Sequence, residues 1–352
     1  MIKQVEEKRE LFVNNCSAIR NKFLLEAKLM SVAAGFVYTS QGKEADIEKM
    51  KECRKLLEKK TGILSNFRLT TELVLVSKMA LAKDPEAYLD NVIAAYKKIS
   101  KGKLLENSYM MLAAILICDF ERQNEIDEIV EKSKEIMNRM NKEHPILTAS
   151  EDTSFAVFLA LSYKDVDTII NDIDECYDYL KKTCKCKASS NAIQGLSEVL
   201  AITYGNMKAK CDKVMRIFNA FDAHGASFGS DNEFASLGSL IDIDLDPDTL
   251  VKEIIETEAY IKGKGGIGRD DKERKERLMF AALVVAYACG GNTAIMDNSV
   301  ISDTLTLLIA KRIATTVSII INIASFAGSA VGSDDEKTET ETVAGDAKEI
   351  KK

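Results

Sequence analysis

Five acidic residues form the sharpest chemical pattern in the sequence: Asp242, Asp244, Asp246, Asp248 and Glu253 stand at positions 1, 3, 5, 7 and 12 of one stretch. Oxygen donors at that spacing are what a calcium loop of the EF-hand kind uses. The sixth position of such a loop wants a glycine with positive φ, and Pro247 occupies it, a residue whose ring forbids that angle. The same residues read as a helix start, with Asp246 capping, Pro247 in the first turn and Asp248 near the positive helix end. Asp84-Pro85-Glu86 repeats the arrangement, so capping is the first reading and calcium the second.

The other chemistry-bearing strings are looser. Gly263, Gly265, Gly266 and Gly268 match a dinucleotide fingerprint as a string. That fingerprint needs a strand before it and a helix after it, so that backbone amides meet the pyrophosphate. Here a helical pattern precedes it and no βαβ unit surrounds it, so it reads as a connector. Cys184 and Cys186, with Cys176 and Cys211 around them, lack the CxxC knuckles of structural zinc sites. Only two histidines occur, His144 and His224, each beside a turn residue (Pro145, Gly225) and neither in a ligand pattern. No motif sets a Ser or Cys beside a base. The sequence therefore names no catalytic residue, cofactor or metal, and the reading leans away from an enzyme.

These strings must be positioned by helices. Apolar residues recur at three- and four-residue spacing almost throughout, without sustained alternation of period two. A two-helix unit repeats: Leu89, Val92 and Ile99 shift by 37 onto Ile126, Ile129 and Ile136, and by a further 44 onto Ile170, Ile173 and Leu180. A shift of 41 carries Ile173, Tyr177 and Leu180 to Val214, Phe218 and Phe221, and one of 40 carries Val214 and Phe221 to Ile254 and Ile261. Periods of this size mark stacked repeat architectures. First helices of the units are apolar all round (Leu73 to Leu81, Tyr109 to Cys118, Phe155 to Leu161, Val199 to Tyr204), and second helices are amphipathic (86–101, 124–140, 166–182, 207–221, 247–262). The expected fold is all-α, an αα-superhelix or solenoid of about five helical hairpins.

The boundaries read as an N-terminal helical pair over 1–62, whose first helix runs over about 3–36, and a hairpin array over 63–262. A flexible charged connector follows over 263–277, then an apolar helical cap over 278–332 and a disordered tail over 333–352. The stretch 313–332 runs twenty residues without a charge after Lys311-Arg312, the length of a membrane span, but carries Thr315, Thr316, Ser318, Asn322, Ser325 and Ser329. A buried cap on the end of the stack is the first reading and a membrane anchor the alternative.

Composition narrows the function. The chain has 352 residues, 46% hydrophobic and 29% charged, with three prolines and no tryptophan. Its net charge of −7 argues against nucleic-acid binding, which requires a basic face. A charged N-terminus without a signal-length apolar run points to the cytoplasm, where the eight cysteines would be reduced thiols.

Three strings resemble a bacterial family defined only as domain of unknown function 4003: His144-Pro145-Ile146-Leu147-Thr148-Ala149-Ser150-Glu151-Asp152, Cys176-Tyr177-Asp178-Tyr179-Leu180, and Asn191-Ala192-Ile193-Gln194-Gly195-Leu196-Ser197. Ala149 stands as an extra residue within the first. The resemblance covers about residues 10 to 330, implies a helical bacterial protein, and brings no activity or ligand. Thr148 and Glu151 have the spacing of a capping box, and Ser190 or Asn191 would cap the next unit. Loops on one edge of a stack present equivalent positions together, so Glu151, Asp152, Asn191 and Gln194 form the candidate surface site. The expected function is protein or peptide binding, or scaffolding, on a concave face.

Overall fold

A computed structural model describes residues 2–24, 26–61, 67, 71–101, 108–143, 152–184, 188–202 and 204–290. Every regular element among them is helical, as the periodicity requires. In chain order these are α1 (Lys3–Lys22), α2 (Lys28–Ser40), α3 (Ile47–Thr61), α4 (Glu72–Leu81), α5 (Pro85–Ser100), α6 (Ser108–Asp119) and α7 (Ile126–Glu143). There follow α8 (Asp152–Leu161), α9 (Val166–Thr183), α10 (Ser190–Ala201), α11 (Met207–Ala223), a 3₁₀ segment (Asn232–Leu240), α12 (Pro247–Ile261) and α13 (Arg274–Cys289), with single 3₁₀ turns leading into α7 (Gln123–Glu125) and α13 (Asp271–Glu273).

The helices start where short polar side chains satisfy free amides. Asp84 accepts from the amides of Glu86 and Ala87, both at 3.0 Å, and Asp246 from Thr249 at 3.0 Å. Asp165, Ser189 and Asn206 do the same for α9, α10 and α11. The cap of α10 is thus Ser189 and not Ser190 or Asn191, because its amide partner Ala192 lies three residues on.

Two rows result. Helices α2, α4, α8, α10 and α13 bury residues on every face, as apolar all-round sequences must. Helices α5, α9, α11 and α12 bury a single stripe each, such as Leu89, Val92, Tyr96 and Ile99 of α5. The 3₁₀ segment stands in the inner row between α10 and α13. Gly238 permits that close contact, since a Cβ there would sit 2.3 Å from Val199 Cγ1.

The first helix ends earlier than its apolar stripe suggests. The chain turns at Phe23 to Ala27 without proline or glycine, and α2 folds back along α1. Burial of α2 on all sides needs that hairpin, and Gly35 lets the two approach, a Cβ there falling 2.5 Å from Cys16 Sγ.

The array also closes. Among residues 2–290, α1 packs on α12 and α13 as well as on α2 and α3. Phe12 meets both Phe36 and Phe280 at 6.1 Å between ring centroids. The Ile2 amide donates to both carboxylate oxygens of Glu253, and Arg9 lies over the Tyr260 ring. The outer contacts run α1, α3, α5, α7, α9, α11, α12 and back to α1. An open superhelix would leave a concave face on the inner row; here that row is covered all round. Residues 313–332 and 333–352 lie outside the described residues, and among the described ones no helix is long and apolar enough to cross a membrane.

Candidate functional site

Neighbouring inner helices run side by side in the same direction. Ser154, near the start of α8, donates to the Tyr109 carbonyl near the start of α6, and Lys78 and Asp119 meet at the ends of α4 and α6. The row therefore presents two rims, one of helix N-termini and one of helix C-termini. The helix dipole makes the first electropositive and the second electronegative.

Cations gather at the C-terminal rim and are matched there. Lys49 donates to the Ala82 carbonyl, Arg122 to Leu161, Lys132 to Ser162, Lys164 to Ala201, Lys210 to Leu200 and Lys213 to Ile243, all between 2.7 and 3.3 Å. Each supplies a donor to a carbonyl in the last turn of an inner element or in the few residues beyond it, where intrahelical partners run out. Lys78 and Asp119, with side chains both 9% exposed, form an ion pair at 2.9 Å, and the Tyr88 hydroxyl donates to the same carboxylate at 2.8 Å. Lys164 pairs with Asp172 at 2.6 Å. A cleft of about 550 Å³ opens over the Lys78–Asp119 pair, edged by Gln41, Asn91 and Gln123.

Acids gather at the N-terminal rim and are matched less completely. Glu72, Asp152 and Glu233 lie in the first turns of inner elements, Gln194 in the second turn of α10 and Glu198 one turn further on, and all are buried. Glu72 Oε1 lies 2.6 Å from Arg54 Nε, whose N–H is not aimed at it. Gln194 Nε2 donates to Glu198 Oε1 at 3.0 Å. Gln194 Oε1 and Glu233 Oε2 have no hydrogen-bond partner among the described residues. Burial raises the proton affinity of Glu233 above the usual carboxylate range, and that of Glu276 beside it likewise. Gly229 makes room for the Glu233 carboxylate, a Cβ there lying 2.6 Å from Oε2. Such a rim offers hydrogen-bond acceptors and negative charge in a low-dielectric setting. Among the described residues no group of three or more His, Cys, Asp or Glu could hold a metal.

The model of a family described as a protein of unknown function, DUF4003, matches residues 15–314. The chain belongs to this family. No curated protein and no solved structure matches it.

In this DUF4003 chain two of the three strings that carry the resemblance, at 144–152 and 191–197, lead to residues of the N-terminal rim, while Cys176 to Leu180 lie in α9. His144 and Glu151 lie outside the described residues, while Asp152 begins α8 at 1% exposure. Of the surface quartet, Gln194 is buried and Asn191 exposed. Glu198 was not in that set, although a Gln and a Glu four apart inside an apolar helix signal a shared buried hydrogen bond.

The calcium-like acids have separate partners. Asp246 caps α12, and hydrogen bonds from Thr249 hold its carboxyl below the usual range. Asp248 bonds His224 Nε2 at 3.0 Å, Glu253 accepts from the amide of Ile2, the residue before α1, and Asp242 and Asp244 are exposed. The glycine string packs on α1: Gly265 has φ +57°, and a Cβ there would lie 2.7 Å from Cys16 Cβ. Its loop is tied by Arg277, 1% exposed, which reaches the Gly268 and Asp270 carbonyls and pairs with buried Glu258 at 2.6 Å. Cys176 and Cys211 face each other across α9 and α11, buried as free thiols that share a hydrogen bond. Cys184, the C-cap of α9, is disulfide-bonded, which departs from the all-thiol expectation. Cys186 lies outside the described residues.

Proposed function

We propose that the chain is a binding protein that takes a positively charged protein or peptide segment at the N-terminal rim of its inner helices. The observation that carries this reading is the pair of buried acceptors, Gln194 Oε1 and Glu233 Oε2, left without partners among the described residues. A buried unmet acceptor costs about 1–3 kcal/mol, so a ligand donor that reached it would recover that energy on binding. Lysine, arginine and backbone N–H groups are such donors. The net charge of −7 favours the encounter. The closed inner row moves the recognition surface from a concave face to a rim.

Fluorescence anisotropy with labelled lysine-rich, glutamate-rich and serine–glycine peptides on the full chain tests the reading. The lysine-rich peptide binds, binding weakens with salt, and Gln194→Leu or Glu233→Gln reduces affinity about tenfold or more while circular dichroism stays unchanged. Equal binding of the acidic and basic peptides, or binding insensitive to both substitutions, overturns it.

A further inference from the structure

Cations plug the C-terminal rim at the ends of α8 and α10 and leave it open at α6. Arg122 and Lys132 reach the carbonyls at the end of α8, and Lys164 and Lys210 those at the end of α10. At the end of α6 the cation, Lys78, is paired with Asp119, and a neutral amide, Gln123 Nε2, meets the Cys118 carbonyl at 3.4 Å. The cleft of about 550 Å³ lies there, where the ends of α2, α4 and α6 meet the start of α5. Its volume falls within the range of small-molecule sites, about 300–1,000 Å³.

The charges around this cleft cancel. Lys78 balances Asp119, and Lys83 and Glu121, both exposed, add one charge of each sign. Asp84 is committed to the amides of Glu86 and Ala87, and Lys49 on the Ala82 carbonyl offsets it. No net charge therefore selects an ion, and hydrogen-bonding capacity remains. The amides of Gln41 and Asn91, both exposed, offer donors and an acceptor each. The Asp119 carboxylate meets Tyr88 on one oxygen and Lys78 on the other, and both oxygens keep further lone pairs. Helix-end carbonyls add acceptors. Donors and acceptors interleaved without net charge suit hydroxyl groups, each of which both gives and takes a hydrogen bond.

The backbone is strained at the same place. Glu121 has φ +54°, and among the described residues no other residue except glycine has a positive φ. Its amide donates to the Cys118 carbonyl at 3.0 Å, and that of Arg122 to Ile117 at 3.1 Å. The same pair of bonds closes α2 around Gly42 and α11 around Gly225. Glycine takes this conformation freely and glutamate does not. What Glu121 brings in place of glycine is a side chain that lines the cleft.

We propose that the cleft where α2, α4 and α6 end binds a neutral polyhydroxylated molecule of mono- or disaccharide size. The Lys78–Asp119 pair forms its floor, Gln41, Asn91 and Gln123 its polar edge, and Glu121 is the residue held in strain to complete it.

The test records saturation-transfer difference NMR on the full chain with glucose, galactose, N-acetylglucosamine, myo-inositol and maltose, beside putrescine and acetate as charged probes. At least one neutral compound is expected to receive saturation, and neither charged probe. Transfer to a monosaccharide alone supports a free sugar as ligand, and transfer to maltose as well supports the end unit of a glycan. Asn91→Ala and Glu121→Gly, checked by circular dichroism, should each weaken binding of that compound about threefold or more in titration calorimetry. Glu121→Gly should at the same time raise the melting temperature by relieving the positive φ. No transfer to any neutral compound, stronger transfer to a charged probe, or binding that survives both substitutions unchanged overturns the proposal.

Discussion

The two rims of the inner row use opposite charges for one electrostatic reason and settle them to different degrees. At the C-terminal rim, lysines and arginines meet helix-end carbonyls, and the buried Lys78 has Asp119 and the buried Lys164 has Asp172. At the N-terminal rim, acids sit where the dipole welcomes them, yet Gln194 Oε1 and Glu233 Oε2 lack partners and burial raises the proton affinity of Glu233 and Glu276. Complementing a dipole explains where acids and bases lie. It does not explain buried acceptors left unmet, which ordinary folding selects against. On the function proposed above, groups that cost stability in the free protein belong to a surface kept for binding.

The largest effect expected lies at the exception on the N-terminal rim. Arg277 is fully buried; its Nε donates to Glu258 and its Nη1 to two loop carbonyls, so its charge is settled although Nη2 has no hydrogen-bond partner among the described residues. Glu258→Ala leaves that guanidinium without its carboxylate and should cost roughly 3–5 kcal/mol in urea unfolding. A loss below about 1 kcal/mol would remove Arg277 from the settled class. Next comes the C-terminal rim itself. Asp119→Asn deprives Lys78 and the Tyr88 hydroxyl of a charged acceptor, and a loss of roughly 3 kcal/mol is expected.

Glu233→Gln should do the opposite, adding on the order of 1 kcal/mol at pH 7. The sign follows from linkage. A carboxyl with a raised folded-state pKa binds more protons when folded than when unfolded, so its ionisation opposes folding. Native stability should therefore fall as pH rises from the ordinary carboxylate range through the folded pKa. The variant's advantage should be full at pH 7 and vanish near pH 3, where both states are protonated. Thermal melts across that range check it; an advantage that persists at pH 3 would assign the gain to packing. The smallest effect concerns the helix start at Asp246. Asp246→Ala should lower the melting temperature modestly and leave calcium without influence on it, since the carboxylate serves the Thr249 amide.

Much of this comparison is legible in the sequence and some is not. Asp84-Pro85 and Asp246-Pro247 announce helix starts because a cap acts within three residues. All-round apolar runs such as 73–81 and 155–161 announce the inner row because burial on every face leaves no polar stripe. The turn at Phe23 has no such local mark: the apolar spacing continues through it, and only the fit of α2 against α1 ends the helix. Closure is invisible for the same reason. Phe12 and Phe280 are ordinary core residues until the chain brings its first helix to its last described ones. The polar groups of the rim are half in view. Asp152 and Gln194 stand in strings that mark the family, but Glu72 and Glu233 share the rim only once the inner helices lie parallel.

The difference between the rims is tested most directly by urea unfolding of the full chain, wild type beside Asp119→Asn and Glu233→Gln, at pH 7 and equal ionic strength. Midpoints that move in opposite directions, down for Asp119→Asn and up for Glu233→Gln with unchanged slopes, are the predicted result. A Glu233→Gln midpoint that falls along with that of Asp119→Asn would contradict the account, because the N-terminal rim would then be as settled as the other.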